Sequence, residues 1–378
     1  MRSWVAPIRA CYTAAFHVAS AKPRVVLAVD SLAQTASGIA RVARLMARVL
    51  ADEAAAGRID ATALTLRGDE GGDLGLAITS SHGSRARFVS AIHREAVHAS
   101  CFVYDFTGIA RAHPRIPPLN RPYLTWIHGI EVWEGAEEKR LARARAARVL
   151  LANSEYTLAR ARALHGGLAH AQVCWLATES DLPAPVPAAA RVPTIAILAR
   201  LDEGGGYKGH RELIACWADV VDRVPEAKLK IVGDGPGRGV IEAWVASSRA
   251  RDRIELAGLV SEAELHRVLS ECSALAMPSR GEGFGLAYAE AMRHGVPVIG
   301  SVHDAAREVN ADGRSGFNVS LDHPGELSAR LIELLSQPEL AHALGEGARS
   351  RWYDEMRFTR FAQRFLPVLR SLWGERPV

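Results

Sequence analysis

Two glutamates separated by seven residues, with a glycine-rich turn between them, carry the clearest chemical signal in the chain: Glu282-Gly283-Phe284-Gly285-Leu286, and then Glu290. A carboxylate accepts hydrogen bonds in pairs, so two of them suit sugar hydroxyls better than phosphate oxygens. The turn between them offers the opposite chemistry. Gly283 and Gly285 let the backbone approach a ligand closely, and the N–H groups of Phe284, Gly285 and Leu286 open a helix, which makes an anion site. Glu290 falls about 6 Å along that helix. A ligand with its phosphates at the helix start would therefore meet one carboxylate on either side. Taken singly, either glutamate is explained equally well as a solvated charge, in a loop for Glu282 and on a helix surface for Glu290.

The elements that must position these groups are legible around them. Residues 274–277 form a short apolar run of the kind that becomes a buried parallel strand. A polar, Gly-rich loop over 279–285 follows, then a helix from about Leu286 that stops at Gly295, then the next apolar strand from Val296. In an open parallel sheet ligands sit outside the carboxyl ends of the strands, so the loop faces a crevice.

The same strand-to-loop logic recurs along the chain. Arg24–Val29 reads as the first strand and leads through a small-residue loop into a helix opened by Gly38, a phosphate-approach geometry. That helix puts Ile39, Val42, Leu45, Met46 and Val49 on one face and Arg41, Arg44 and Arg48 on another. Residues 61–66 and 99–104 read as further strands, with a loop over 68–75. Tyr123–Ile127 delivers His128 to a crevice mouth, although a lone histidine after a strand is more often structural. Val149–Ala152 runs into Asn153-Ser154-Glu155-Tyr156-Thr157, where Ser154 is a good helix N-cap and capping alone accounts for it. Thr194–Leu198 delivers Arg200, with Lys208 a few residues on. Gly233-x-Gly235 lacks the third glycine of a dinucleotide fingerprint and does not belong to the first βα turn, so it is a weak signal.

Together these segments resemble the retaining glycosyltransferases of family 4, which have the GT-B fold. The residues that carry the resemblance are E-G-F-G-L-x-x-x-E from Glu282 to Glu290, His128-Gly129-x-Glu131 after its strand, Asn153-Ser154-x-Tyr156-Thr157, Arg200-Leu201 with Lys208-Gly209, Val232-Gly233-Asp234-Gly235-Pro236 and Asp312-Gly313-x-x-Gly316. The resemblance spans about residues 24–370, with its specific motifs concentrated in 200–316. It implies an α/β architecture of two Rossmann-like domains facing across a cleft, and an enzyme that moves a sugar from a nucleotide-sugar donor to a glycan or lipid-linked acceptor. His128 and Glu282 would lie at the transferred sugar as the catalytic pair. Gly38, Arg200, Lys208, the amides of Phe284, Gly285 and Leu286, and Glu290 at the ribose would hold the donor, with Val260 beside the base. Two fixed cations there would stabilise the charge that develops on a departing diphosphate. No cofactor and no metal are implied, and the chain contains no Asp-x-Asp.

The chain departs from the pattern in places. Ser37-Gly38 stands where two glycines are usual, Ala199 replaces a glycine, and Asp304-Ala305-Ala306 replaces a Gly-Gly donor contact. A flexible spacer, Glu203-Gly204-Gly205-Gly206, precedes Lys208 and would let that loop close on a donor.

Composition bounds the rest. At 378 residues, with 48% hydrophobic and 23% charged residues, the chain reads as a globular protein of two domains. We expect an N-terminal extension over 1–23, a first, acceptor-binding domain over 24–185, a second, nucleotide-sugar-binding domain over 186–355, and a last helix over 356–378 that crosses back to the first. Four prolines in residues 181–193 mark the linker.

Residues 1–190 carry 22 basic and 16 acidic side chains against 24 and 26 in the remainder. Much of the excess sits in Arg-rich helical stretches, above all residues 139–148. A solvated helix face explains such a run; the sharper expectation is peripheral contact with an anionic membrane surface or a lipid-phosphate acceptor. Nucleic acid is not an expected partner. Five unpaired cysteines (11, 101, 174, 216 and 272) suit reduced thiols and a cytoplasmic location, at or away from the inner membrane face. The basic, Ala-rich start is too broken for a secretory signal and reads as an uninformative extension more readily than as a transit peptide. Two rival functions remain: a phosphorylase or epimerase of similar fold, and a non-catalytic nucleotide-sugar-binding scaffold.

Overall fold

The computed structural model describes residues 22–34, 38–68, 70–185, 192–203 and 206–374. Most of the expected extension, Cys11, Ser37, the middle of the proline-rich linker, and Gly204 and Gly205 of the spacer lie outside them.

The first sheet is built from β1 (Arg24–Val29), β2 (Asp60–Thr65), β3 (Ala77–Ser80), β4 (Cys101–Tyr104), β5 (Tyr123–Ile127), β6 (Val149–Ala152) and β7 (Ala171–Val173), all parallel, in the order β3-β2-β1-β4-β5-β6-β7. Between them run α1 (Gly38–Ala55), α2 (Arg85–Ala96), α3 (Glu138–Ala146) and α4 (Glu155–Leu164). Both faces of the sheet are covered. Val25, Leu27 and Val29 of β1 pack with α1, whereas Val26 and Ala28 pack with Phe88, Ile92 and other α2 residues. This is the period-two alternation of a strand buried on both sides, which is why β1 reads as a continuous apolar run.

The second sheet repeats the plan with six parallel strands: β8 (Thr194–Leu198), β9 (Lys228–Val232), β10 (Ile254–Gly258), β11 (Ala274–Ala276), β12 (Val298–Ser301) and β13 (Gly316–Val319), in the order β10-β9-β8-β11-β12-β13. Its helices are α5 (His210–Arg223), α6 (Arg238–Ser247), α7 (Glu262–Glu271), α8 (Leu286–Arg293), α9 (Ala306–Val309), α10 (Glu326–Ser336) and α11 (Pro338–Glu355), and α12 (Phe358–Arg370) follows. The expected α/β class and two Rossmann-like sheets are observed. Strands β3 and β7 were absent from the sequence reading. Both are short and lie at sheet edges, where half their residues face solvent and no apolar run announces them.

Strand order reverses between β1 and β4 in one sheet and between β8 and β11 in the other. These are the positions where adjacent loops diverge and leave a crevice. The two halves share a continuous core, tied by α12. Phe361 and Phe365 of α12 stack at 6.2 Å from Trp126 of β5, and Arg370 donates to the buried Glu53 of α1 at 3.0 Å. The crossing segment is pinned beside it. Thr178 N–H donates to Met356 O at 2.9 Å, Trp352 Nε1–H to Thr178 Oγ1 at 2.9 Å, and Thr359 N–H to Asp181 Oδ1 at 2.8 Å.

The arginine face of α1 is a seam between halves of the molecule and not a solvated surface. Arg44 is buried and donates to Glu179 at 2.9 Å and to Asp73 at 2.6 Å; Arg48 stacks 3.9 Å over Phe358. The basic run at 139–148 is partly neutralised as well. Arg140 pairs with Glu137 at 3.2 Å and Arg145 with Glu138 at 2.5 Å. No helix among the described residues is long and apolar enough to cross a membrane. The four described cysteines are unpaired, and burial pushes each thiol up to about 12.

Candidate active site

The strand ends of the two sheets enclose a cavity of about 280 Å³. Gly38, His128 and Asn153 line it from the first sheet; Lys208, Glu282 and residues 283–286 line it from the second. A roomier concavity of about 370 Å³ lies on the helical layer, between α5 and α6, beside Arg211 and Trp244. It lacks the convergence of buried charge found at the strand ends.

Glu282 is buried and ion-paired with Lys208, which sits 4.7 Å over the Tyr207 ring. Burial alone would lower the Lys208 ammonium's pKa. The neighbouring Glu282 and Tyr207 outweigh that and hold it charged, above its ordinary value. The loop that presents Glu282 is built on Asp304, which is fully buried. Asp304 Oδ2 accepts Ser279 Oγ–H at 2.6 Å and Glu282 N–H at 2.8 Å; Oδ1 accepts Ala306 N–H at 2.9 Å. Burial, only partly offset by these three donors, pushes the Asp304 carboxyl up to about 6. The sequence reading missed this role. An aspartate two residues before a short helix is an Asx-turn signal, and that was the clue available.

Beyond Glu282 the chain turns into α8. Gly285 has φ +87°, and a Cβ there would lie 2.3 Å from the Tyr288 ring, so the turn requires glycine on both counts. The Phe284 side chain is buried edge-on against Trp175, with ring centroids 6.1 Å apart. Leu286 faces Gly38: its Cδ1 would be 3.9 Å from a Cβ built on that glycine, so the starts of α1 and α8 meet across the cleft.

From the first sheet, the half-buried His128 stacks parallel to Trp126 with centroids 5.9 Å apart. Its Nε2 lies 2.7 Å from Asp105 O. A carbonyl only accepts, so Nε2 carries a proton, which in the neutral imidazole makes Nδ1 the acceptor. Glu131 turns back to accept the His128 N–H and so shapes its own loop. Beneath them, the buried Asp105 carboxyl accepts Asp30 N–H at 2.9 Å and is raised well above the usual carboxylate range by burial.

Three sequence-selected residues stand apart from the cavity lining. Glu290 is half-buried in α8 and meets Arg41 of α1 at 3.1 Å; desolvation raises its carboxyl and Arg41 opposes that rise. Arg200 is 72% exposed and paired with Asp202 at 3.3 Å. Val260 follows β10, half-buried against the core, beside an 80% exposed Leu259. Among the described residues, no three His, Cys, Asp or Glu side chains are arranged to hold a metal ion.

Residues 185–351 match the family model described as glycosyl transferases group 1. An uncharacterised glycosyltransferase of Methanocaldococcus jannaschii is 34% identical over 121 residues, covering 32% of this chain and 34% of that relative. A GDP-mannose-dependent α-(1-6)-phosphatidylinositol monomannoside mannosyltransferase of Mycolicibacterium smegmatis is 28% identical over 182 residues, covering 45% and 47%. The chain thus spans a third to a half of the length of these curated relatives. HepE of Anabaena, solved in complex with UDP and glucose, superposes with a TM-score of 0.74 at 17% identity, over 92% of this chain and 99% of that one. The fold is GT-B.

Proposed function

We propose that this chain is a nucleotide-sugar-dependent hexosyltransferase of family 4 that works with retention at the anomeric carbon. What carries the proposal is a half-buried cation, Lys208, beside the amides that open α8 and the buried Glu282 carboxylate, all facing His128 across one cavity. The family match over the second domain and the UDP and glucose in the Anabaena neighbour support a nucleotide-sugar donor. The mannosyltransferase relative, whose name specifies a glycolipid, supports a glycan or lipid-linked acceptor in surface polysaccharide or glycolipid synthesis.

Each residue then has a task. An entering diphosphate takes over the Lys208 ammonium and the 284–286 amides, and Glu282 is freed to accept sugar hydroxyls. His128 Nδ1 accepts a hydroxyl from the opposite wall. As the glycosidic bond lengthens, negative charge grows on the departing phosphate, where a fixed cation and aligned amides stabilise it most. The acceptor attacks on the leaving-group face and its proton passes to that phosphate. Donor binding needs no metal, the protein groups carrying the charge, and the work takes place in the cytoplasm, in peripheral contact with the membrane where the acceptor is a lipid.

The test is release of nucleoside diphosphate from a panel of UDP-, GDP-, ADP- and dTDP-sugars with lipid and oligosaccharide acceptors, the product anomer being read by NMR. One donor should turn over with retention, and Lys208→Ala should lower its rate about 100- to 1000-fold. Inversion, or turnover with none of the donors by well-folded protein, would contradict the proposal.

A further inference from the structure

The first turn of α4 reads from sequence as a helix cap, yet two of its backbone N–H groups and the hydroxyls of Ser154 and Thr157 are taken by the other half of the molecule. Ser154 Oγ–H donates to Gly283 O at 2.6 Å and Thr157 Oγ1–H to the same carbonyl at 3.2 Å. Ser154 Oγ also accepts Thr157 N–H at 3.0 Å, so one hydroxyl caps the helix and reaches across. The backbone N–H groups of Glu155, at 2.8 Å, and Tyr156 both donate to the Glu308 carboxylate of α9. Next to them Asn153 Nδ2–H donates to His128 O at 3.0 Å.

Gly283 is enclosed by this joint. A Cβ on it would lie 1.8 Å from His128 O and 3.0 Å from Asn153 Nδ2. Because a trans peptide points its C=O and the following N–H in opposite directions, fixing the Gly283 carbonyl against α4 turns the Phe284 N–H away from α4. Residues 283–286 line the cavity.

Taking the proposed donor site as premise, we infer that Ser154 and Thr157 are positioning residues for the pyrophosphate of a nucleoside diphosphate. By holding one peptide plane from the opposite domain, their two hydroxyls aim the Phe284 amide into the anion site. Glu308 fixes the helix end that carries them. The anion site is therefore complete only when the two domains are together. Nucleotide binding in the second domain and closure onto the first are coupled through a single carbonyl.

The experiment measures dissociation constants of wild type, Thr157→Val, Ser154→Ala/Thr157→Val and Glu308→Gln for UDP, GDP, ADP and dTDP, and for the matching monophosphates. Thr157→Val keeps the shape of the side chain and the cap at Ser154, so it separates the cross-domain bond from helix stability. The preference of wild type for diphosphate over monophosphate should fall roughly tenfold in the double variant, the size expected for a misaimed hydrogen bond to a charged group. A smaller fall is expected in Thr157→Val and in Glu308→Gln. Monophosphate affinity should hold within about twofold, since no base or ribose contact changes. A purely structural role would weaken both nucleotides alike. An unchanged preference in folded variants overturns the inference and leaves the transferase proposal standing; wild type that binds none of the four nucleotides overturns both.

Discussion

The two sheets end in the same geometry and present opposite chemistry. At the second switch point, beside β11, the loop supplies formal charge, Lys208 against Glu282, held from beneath by the buried Asp304. On the first sheet's side, Glu131 apart, what faces the cavity carries no formal charge of fixed sign: the His128 imidazole, whose Nε2 meets Asp105 O, the Asn153 amide, and Gly38 with apolar Ile39, Val42 and Ile130. One wall suits the charged part of a ligand, and the other suits an uncharged, hydroxyl-rich part. Identical strand-end geometry does not dictate the ligand; the side chains grafted at each strand end do.

If the two walls work as one site, wedging them apart should hurt most. Gly283→Ala places a methyl where His128 O now sits, and a displacement of about 1 Å at a reaction centre commonly costs about 100-fold in rate. Steady-state kinetics should show that loss, while Gly239→Ala in α6, whose added methyl meets open space, should leave activity unchanged. Equal effects from the two substitutions would mean the walls act independently.

A second test weakens only the charged wall. With a carboxyl at about 6 against an ordinary 3.8, Asp304 keeps its proton in the folded protein over a range where the unfolded chain has lost it. The native state binds more protons there, so this group's contribution to stability declines as pH rises from 3.8 to about 6 and is flat above. Function runs the other way. Protonation removes an acceptor from the Ser279 and Glu282 contacts, so kcat/KM should fall as pH drops through about 6. Asp304→Asn should lower activity about tenfold, the size of a lost charged hydrogen bond, and abolish that acid limb. A limb that persists in the variant belongs to another group.

The smallest effect is expected from Arg200→Ala. With 72% of its side chain exposed and Asp202 as its partner, Arg200 should contribute no more than about tenfold to donor KM, well below Lys208. Matching losses for the two cations would mean that Arg200 swings into the cavity when donor binds.

These contrasts also mark what the sequence made legible. Apolar runs and glycine punctuation located β1, β5, β8 and β11 and the start of α8, because buried parallel strands and helix starts write themselves locally. Glu282, His128, Lys208 and Gly38 were found by strand-end position together with the family motifs they match, and the structure brings all four to one cavity. The rest depends on pairs that no local pattern joins. Arg41 and Glu290 are 249 positions apart, and Ser154 and Gly283 are 129 apart. Nothing near Ser154 says that its hydroxyl does more than cap a helix, and the small size of Gly283 has its reason in the other domain.

The most direct measurement of the central claim is a thermal-shift comparison of wild type and Lys208→Ala with UDP, GDP, ADP, dTDP and their common sugar conjugates. The account predicts that one nucleotide class raises the melting temperature of the wild type and that the shift disappears in the variant. No shift with any nucleotide in well-folded wild type, or an undiminished shift in Lys208→Ala, would contradict a diphosphate held by that cation.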